Sequence, residues 1–80
     1  MNTIERLASQ LADDVLAAQK ELGEDRLFME IAGVLAAASQ TLEEAFLTEC
    51  RVRLAEEKAR DALNRKMAAA RRAAAPQAPQ

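Results

Sequence analysis

The chain has 80 residues, a formal net charge of −2, no histidine and a single cysteine. Folded chains of this size bury only roughly 60% of the surface that they expose when unfolded, so disulfides, metals or oligomerisation usually stabilise them. An internal disulfide and a Cys/His zinc site are excluded here, which leaves oligomerisation.

The first predicted helix covers residues 3–22. Asn2 is a suitable N-cap, and Glu5 follows three residues later in a box-like capping pattern. Apolar residues then recur with helical spacing at Ile4, Leu7, Ala8, Leu11, Val15, Ala18 and Leu22. Gly23 follows as a natural left-handed residue that ends the helix.

The second predicted helix begins near Glu24 and Asp25, whose charges favour a helix N-terminus. Its apolar stripe runs from Leu27 to Phe46. Thr41 and Glu44 form a capping-box pattern that would begin a third helix. Because this stretch has no Gly or Pro and the stripe continues in phase, we expect one long helix, with a bend near residues 39–41 if the capping pattern is used.

Beyond Phe46 the helix becomes more polar. Glu49–Arg53, Glu56–Arg60 and Asp61–Arg65 each have the favourable i,i+4 spacing with the acid first. Residues 73–80 are rich in Ala, Pro and Gln, which predicts a disordered tail. The expected fold is therefore all-α. It is an antiparallel helical hairpin with a long second helix over residues 1–72, assembling into a homo-oligomer.

The prediction of a homo-oligomer depends on apolar stripes that a two-helix hairpin leaves half exposed. Burying one Leu, Ile or Phe side chain contributes about 1.5–3 kcal/mol, so copies gain by pairing these stripes. The residues expected at the interface between copies are Leu11, Val15, Leu22, Ile31, Leu35, Leu42, Phe46 and Val52.

Charge divides the chain into two halves. Residues 1–50 carry ten acidic and three basic side chains, a net of −7, whereas residues 51–80 carry eight basic and three acidic ones, a net of +5. This split suggests that the basic end binds a polyanion or an acidic protein surface, although cations near a helix C-terminus also favour the helix's own dipole. The candidate binding residues are Arg51, Arg53, Arg60, Arg65, Lys66, Arg71 and Arg72.

Any nucleic-acid contact made by this basic end is expected to be weak and non-specific. Phosphate contacts by Arg and Lys do not depend on sequence. The chain has no aromatic residues between its cations for base stacking and no recognisable helix-turn-helix.

Enzyme chemistry is not expected. Neighbouring carboxylates such as Asp13 and Asp14 point about 100° apart on a helix, so they do not converge on one reacting atom. Cys50 has no histidine base, and there is no glycine-rich phosphate loop. We expect no catalytic residue, metal or cofactor. No signal peptide or membrane-spanning run is recognised, so we expect a cytoplasmic protein.

Residues 42–56, LEEAFLTECRVRLAE, follow an acidic helical hairpin. In this arrangement the chain resembles the oligomerisation region of small terminase subunits of tailed phages, and more narrowly the abbreviated form in gene transfer agents of alphaproteobacteria. The resemblance implies a ring that recruits duplex DNA to a large terminase, which supplies the ATPase and nuclease.

The same resemblance implies roles for individual residues. Leu42, Phe46 and Val52 would lie at the oligomer interface. The segment that meets the motor or DNA would contain Arg65, Lys66, Arg71 and Arg72. Phage members commonly carry an N-terminal helix-turn-helix domain, whereas this chain starts directly with the hairpin, so DNA loading with little sequence specificity is expected.

Two other functions fit the same sequence. One is a small RNA-binding regulator built as a dimeric four-helix bundle. The other is a helical chaperone or structural adaptor that binds no nucleic acid. A ring weighs many times the 8.7 kDa of one chain, whereas a bundle dimer weighs only twice that. Mass therefore separates the terminase-like ring from the RNA-binding dimer.

Overall fold

A computed structural model describes residues 2–75 of the chain. In this part there are three α-helices and no strand: α1 is Thr3–Leu22, α2 is Leu27–Ala38 and α3 is Gln40–Ala74. The prediction of an all-α fold is confirmed. Residues 73 and 74, which were predicted to belong to a disordered tail, lie in α3, which continues through Ala74. Residues 76–80, the rest of that tail, lie outside the described residues.

Both ends of α1 lie where the sequence predicts them. The Asn2 side chain accepts a hydrogen bond of 2.8 Å from the backbone N–H of Glu5. Gly23 adopts a left-handed conformation, with φ 68°, and donates its N–H to the carbonyl oxygen of Gln19. A residue with a Cβ is strained at this φ, which is why glycine is suited to this helix end.

The expected long second helix is wrong, because it is broken at Ser39. This residue is extended, with φ −160° and ψ 106°, and it ends α2 while serving as the N-cap of α3. Its hydroxyl oxygen accepts a hydrogen bond of 3.2 Å from the N–H of Leu42. Extended backbone needs neither Gly nor Pro, so a single serine makes the break. The capping residue is thus Ser39 rather than Thr41.

The break turns the expected two-helix hairpin into a three-helix arrangement. Asn2 and Ile4 line a groove with Thr41, which places the start of α3 beside the start of α1. Further along, Lys20 forms an ion pair with Glu57. α1 and α3 therefore run side by side in the same direction. α2 returns from the end of α1 to the start of α3, and each helix contacts both of the others.

The interior lies where the three helices meet. Phe46 and Cys50 of α3 are fully buried there, at 0% exposure. The other buried apolar residues are Ala8, Ala12, Val15 and Leu16 of α1 and Ala32 of α2. Alanines on α1 and α2 let the helix backbones approach closely, and the Phe46 ring fills the centre.

Two residues expected at an interface between copies are buried inside a single chain instead. Val15 and Phe46 are both buried within a single copy. The reason is the return of α2, which adds a third helix over stripes that a two-helix hairpin would leave uncovered. In this conformation neither side chain is available to contact a second copy.

Gln19 supplies the N-terminal cap of α2 from a different helix. Arg26, at the N-cap position of α2, makes no side-chain capping bond. Instead, the buried Gln19 side chain accepts a hydrogen bond of 2.8 Å from the N–H of Phe28. The Gln19 carbonyl also accepts from the N–H of Glu24 at 3.0 Å. One residue therefore fixes both the end of α1 and the start of α2.

Gln19→Met should lower the free energy of unfolding by about 1–3 kcal/mol, because it keeps the side-chain volume but leaves the Phe28 N–H without an acceptor. Urea denaturation followed by far-UV circular dichroism measures this loss. Gln10→Met is the matched control, since Gln10 lies on the exposed face of the same helix. Equal stabilities of the two variants would contradict the capping role.

Phe46→Ala should destabilise the chain by about 3–5 kcal/mol, because it leaves a cavity at the centre of the three helices. The expected result is a lost or much earlier cooperative unfolding transition. Val34→Ala, on the exposed side of α2, should change stability far less. If the Phe46→Ala protein instead dissociated into a stable, fully helical single chain, Phe46 would belong to an interface between copies and the predicted cavity effect would be wrong.

Candidate functional surface on the third helix

The C-terminal half of α3 projects beyond the other two helices. α1 ends at Leu22, close to the level of Glu57, which pairs with Lys20. We call residues 58–74 of α3 the overhang; it is roughly 26 Å long at 1.5 Å per residue. All of its residues are exposed except Ala68, which is half-buried. The overhang therefore presents almost its whole circumference to other molecules.

One face of α3 carries a regular row of cations, Arg51, Lys58, Arg65 and Arg72. Seven residues make nearly two helical turns, so these four side chains project from one face at intervals of about 10 Å. All four are exposed, and none forms an ion pair with the described residues. The Asp61–Arg65 pair expected from the sequence is thus not formed. We call these four residues the basic row.

Sequence reasoning missed Lys58, although it selected the other three members of the basic row. The signal was present in the seven-residue spacing. It was hidden because Lys58 is followed by Arg60 and Asp61 in a stretch where both charges alternate.

The opposite face of α3 carries a row of exposed apolar side chains. Its larger members are Val52, Leu63 and Met67, which are 58%, 52% and 42% exposed. Alanines continue the row at Ala59 and Ala70. We call these five side chains the apolar row. At about 100° per residue, its members Leu63, Met67 and Ala70 lie roughly half a turn away from the basic row, whereas Val52 and Ala59 lie about 100° from it. An apolar stripe on a helix normally packs against another element.

Arg53, expected to bind a nucleic acid or partner, instead joins α1 to α3. Its Nε donates to Asp13 Oδ1 at 2.7 Å, and its Nη2 donates to Ser9 Oγ at 2.8 Å. Its Nη1 donates to the Glu49 carbonyl oxygen at 3.0 Å. The hydrogen bond to Asp13 raises the pKa of the guanidinium above its usual value. Arg53 is therefore occupied inside the chain.

The remaining candidate cations are more accessible. Arg60 donates to Glu56 at 2.7 Å in an exposed i,i+4 pair, which contributes little to stability and can be exchanged for another partner. Lys66 and Arg71 are exposed on the two sides of the apolar row. The structure thus divides the predicted set between the basic row, the edges of the apolar row and one structural residue.

A groove of about 700 Å³ runs between α1 and α3. Leu16, Ala17 and Val52 form its apolar part. Its charged residues are the acids Asp13, Glu49, Glu56 and Glu57 and the cations Lys20 and Arg53. Each acid has an ion-pair partner in its own chain: Asp13 and Glu49 pair with Arg53, Glu56 with Arg60 and Glu57 with Lys20. With four acids and two cations, the lining carries a net charge of −2. We call this feature the α1–α3 groove.

The eight residues predicted at an oligomer interface differ in their exposure. Leu22 and Val52 are exposed, and Leu11, Ile31, Leu35 and Leu42 are half-buried against the core. The other two, Val15 and Phe46, lie in the interior as described above. Only the exposed and half-buried members are available for contact with a second copy.

α2 is apolar on nearly all sides and yet mostly uncovered. Glu30 is its only charged residue, yet only Ala32 is buried. Met29 and Val34 are exposed large apolar side chains. A helix that is apolar on all sides is normally buried, so this surface is a second sign that the chain packs against other molecules.

Cys50 and the acidic side chains are the described groups with the potential to react or to bind a metal ion. The pKa of the Cys50 thiol is raised, and burial is the largest cause. The thiol therefore stays protonated and unreactive near neutral pH. Among residues 2–75 no three acidic or cysteine side chains lie close enough to share a metal ion. In the same residues no helix is long and apolar enough to cross a membrane.

Comparison with known proteins gives no relative: no family model, no curated protein and no solved structure matches this chain. The surfaces of the chain itself are therefore the basis for assigning a function.

Arg53→Ala should weaken the attachment of α1 to α3, because it removes the hydrogen bonds to Ser9 and Asp13 and one to the Glu49 carbonyl. We expect a loss of about 1–2 kcal/mol, given that Arg53 is partly exposed. Hydrogen exchange should show earlier opening of α1. Arg51→Ala, two residues away on the basic row, is the control and should leave both measurements unchanged. Equal effects of the two variants would show that Arg53 is not an anchor.

Proposed function

We propose that the protein is a non-enzymatic, homo-oligomeric adaptor that loads duplex DNA onto a large terminase motor with little sequence specificity. The observation that carries this proposal is the basic row on a helix that projects beyond the body of the chain. Four exposed cations without ion-pair partners among the described residues are spaced over about 31 Å of helix.

The chemistry of the basic row favours a phosphate backbone as its partner. Arg and Lys neutralise phosphates and release bound counterions, which gives affinity that does not depend on base sequence. Stacking on bases needs exposed aromatic rings. The only two aromatic residues, Phe28 and Phe46, pack in or against the core. Binding is therefore limited to the outside of the nucleic acid and is sensitive to salt.

Self-association supports this function by multiplying the basic rows. One row of four cations binds weakly at physiological salt. Several rows on one assembly act together, because the first contact raises the effective concentration of the others near the DNA. The exposed apolar row and the apolar surface of α2 provide the surfaces through which copies would associate.

We include a large terminase in the proposal because residues 42–56 resemble small terminase subunits. In that family the ring brings DNA to the motor and the C-terminal segment usually engages it. By analogy we assign this role to the overhang of α3. No ATPase or nuclease machinery is needed in such an adaptor, because the motor supplies both.

The DNA contact is tested with a charge reversal on the basic row. Arg65→Glu/Arg72→Glu should keep the oligomeric mass but weaken binding to a DNA duplex. The logarithm of the affinity should also fall less steeply with salt, by about 0.9 in slope for each phosphate that the variant no longer neutralises. Fluorescence anisotropy over about 50–200 mM salt measures both effects.

Arg6→Glu/Arg26→Glu is the matched control, because it makes the same change in net charge at exposed positions outside α3. It should bind duplex DNA almost as the native chain does. Equal weakening by both variants would show that only net charge matters, and no DNA binding by the native chain at about 50 mM salt would overturn the DNA-loading role.

The two other functions predict different results in the same measurements. A regulator built as a four-helix bundle should have twice the mass of one 8.7 kDa chain and prefer RNA to duplex DNA. A chaperone or structural adaptor should oligomerise without binding either nucleic acid. Native mass spectrometry combined with the salt series therefore distinguishes all three.

A further inference from the structure

We propose that copies of the chain assemble head to tail, with the overhang of one copy lying in the α1–α3 groove of the next. The apolar row of the overhang would cover Leu16, Ala17 and Val52, and Lys66 and Arg71 would face the acids of the groove. This inference rests on the proposed self-association and specifies how it takes place.

The occupant of the groove must come from another molecule. α3 is one continuous helix from Gln40 to Ala74, and its earlier turns form a wall of the groove. The overhang continues away from the groove along the same axis, so it cannot fold back into it without breaking the helix. A second copy supplies the same overhang with its geometry intact.

Charge decides which surfaces of the two copies meet. The overhang carries six cations and one acid, a net of +5, whereas the groove has four acids and two cations, a net of −2. Packing two overhangs against each other would bring like charges together along the contact. An overhang in a groove brings opposite charges together, so electrostatics favours the unlike pairing.

The pattern within each surface also matches. On the overhang, Leu63 and Met67 form the apolar centre, with Lys66 on one edge and Arg71 on the other. In the groove the apolar residues lie between acids on both walls, Asp13 on α1 and Glu49, Glu56 and Glu57 on α3.

Groove acids remain able to accept further hydrogen bonds. The Asp13 and Glu56 side chains each accept from an arginine of their own chain, yet they are still 66% and 55% exposed. A carboxylate has about four acceptor positions, so each can bind an additional cation from a second copy.

A contact between unlike surfaces has a defined consequence for assembly. Each copy offers one overhang and one groove, so copies join in series and form a ring if the rotation closes or an open chain if it does not. The basic row lies on the opposite side of the overhang from the apolar row. It therefore remains exposed in the assembly, and DNA and the next copy use different faces of one helix.

Two charge-reversed chains test this arrangement. Lys66→Glu/Arg71→Glu alters the overhang, and Glu56→Lys/Glu57→Lys alters the groove. The ion pairs of Glu56 and Glu57 are exposed, so the fold should tolerate their removal. Each variant alone should fall to the mass of a single chain in native mass spectrometry, with its helix content unchanged.

A mixture of the two variants should recover the assembly. The reversed overhang then meets the reversed groove, and the two native surfaces meet each other in the alternate contacts. Arg65→Glu/Arg72→Glu makes the same charge change on the basic row and should keep the native mass. Failure of the mixture to associate, or retention of the native mass by Lys66→Glu/Arg71→Glu, would overturn the head-to-tail contact.

Disulfide formation gives a second test that does not depend on charge reversal. Chains carrying Ala17→Cys and chains carrying Met67→Cys should form a mixed cross-linked dimer under mild oxidation, because the groove of one lies on the overhang of the other. Met67→Cys chains alone should not cross-link with each other. Preferential Met67→Cys homodimers would show that overhangs pair directly.

The failure of this inference can be distinguished from failure of the proposed function. A native chain that stays monomeric at micromolar concentration refutes self-association and this contact together. A native chain that oligomerises while the overhang variant keeps its mass refutes only the head-to-tail contact.

Discussion

The length of α3 relative to the helices that cover it is the constraint on which the other features depend. At 1.5 Å per residue α3 is roughly 52 Å long, whereas α1 is roughly 30 Å and α2 roughly 18 Å. The two shorter helices cover only the first half of α3, and the interior lies there, around Phe46 and Cys50. Beyond Glu57, α3 is exposed through Ala74 apart from the half-buried Ala68.

Within the covered half, specific polar contacts set the register of the helices. Three of the seven buried apolar residues are alanines, whose small side chains specify the relative position of α1 and α3 only weakly. Arg53 removes this ambiguity by donating to Ser9 and Asp13 at the same time. Gln19 acts in the same way at the other end, where it fixes the start of α2. These contacts determine which apolar side chains are buried and which remain exposed on α3.

Local signals in the sequence were sufficient to predict the bounds of α1, because Asn2 and Gly23 act on residues only three or four positions away. The sequence favoured one continuous helix and left a bend or a third helix near residues 39–41 as the alternative, since one extended residue interrupts the helix without disturbing the phase of the apolar stripe. The roles of Gln19 and Arg53 depend on contacts between residues 9 and 44 positions apart, which periodicity does not report. Phe46 was predicted at an interface because a two-helix hairpin, without the third helix, would leave it uncovered.

The two faces of the overhang have different physical chemistry, which allows them to serve different partners. The basic row consists only of charged side chains, so the DNA contact proposed for it would be dominated by counterion release and would weaken steeply with salt. The apolar row also contributes burial of Leu63 and Met67, which salt does not screen. In the assembly proposed above, salt would screen the contacts of Lys66 and Arg71 but not the burial of Leu63 and Met67. The assembly would therefore depend less steeply on salt than the proposed DNA contact. In a packaging adaptor that difference would let the same oligomer bind DNA and release it to the motor without coming apart.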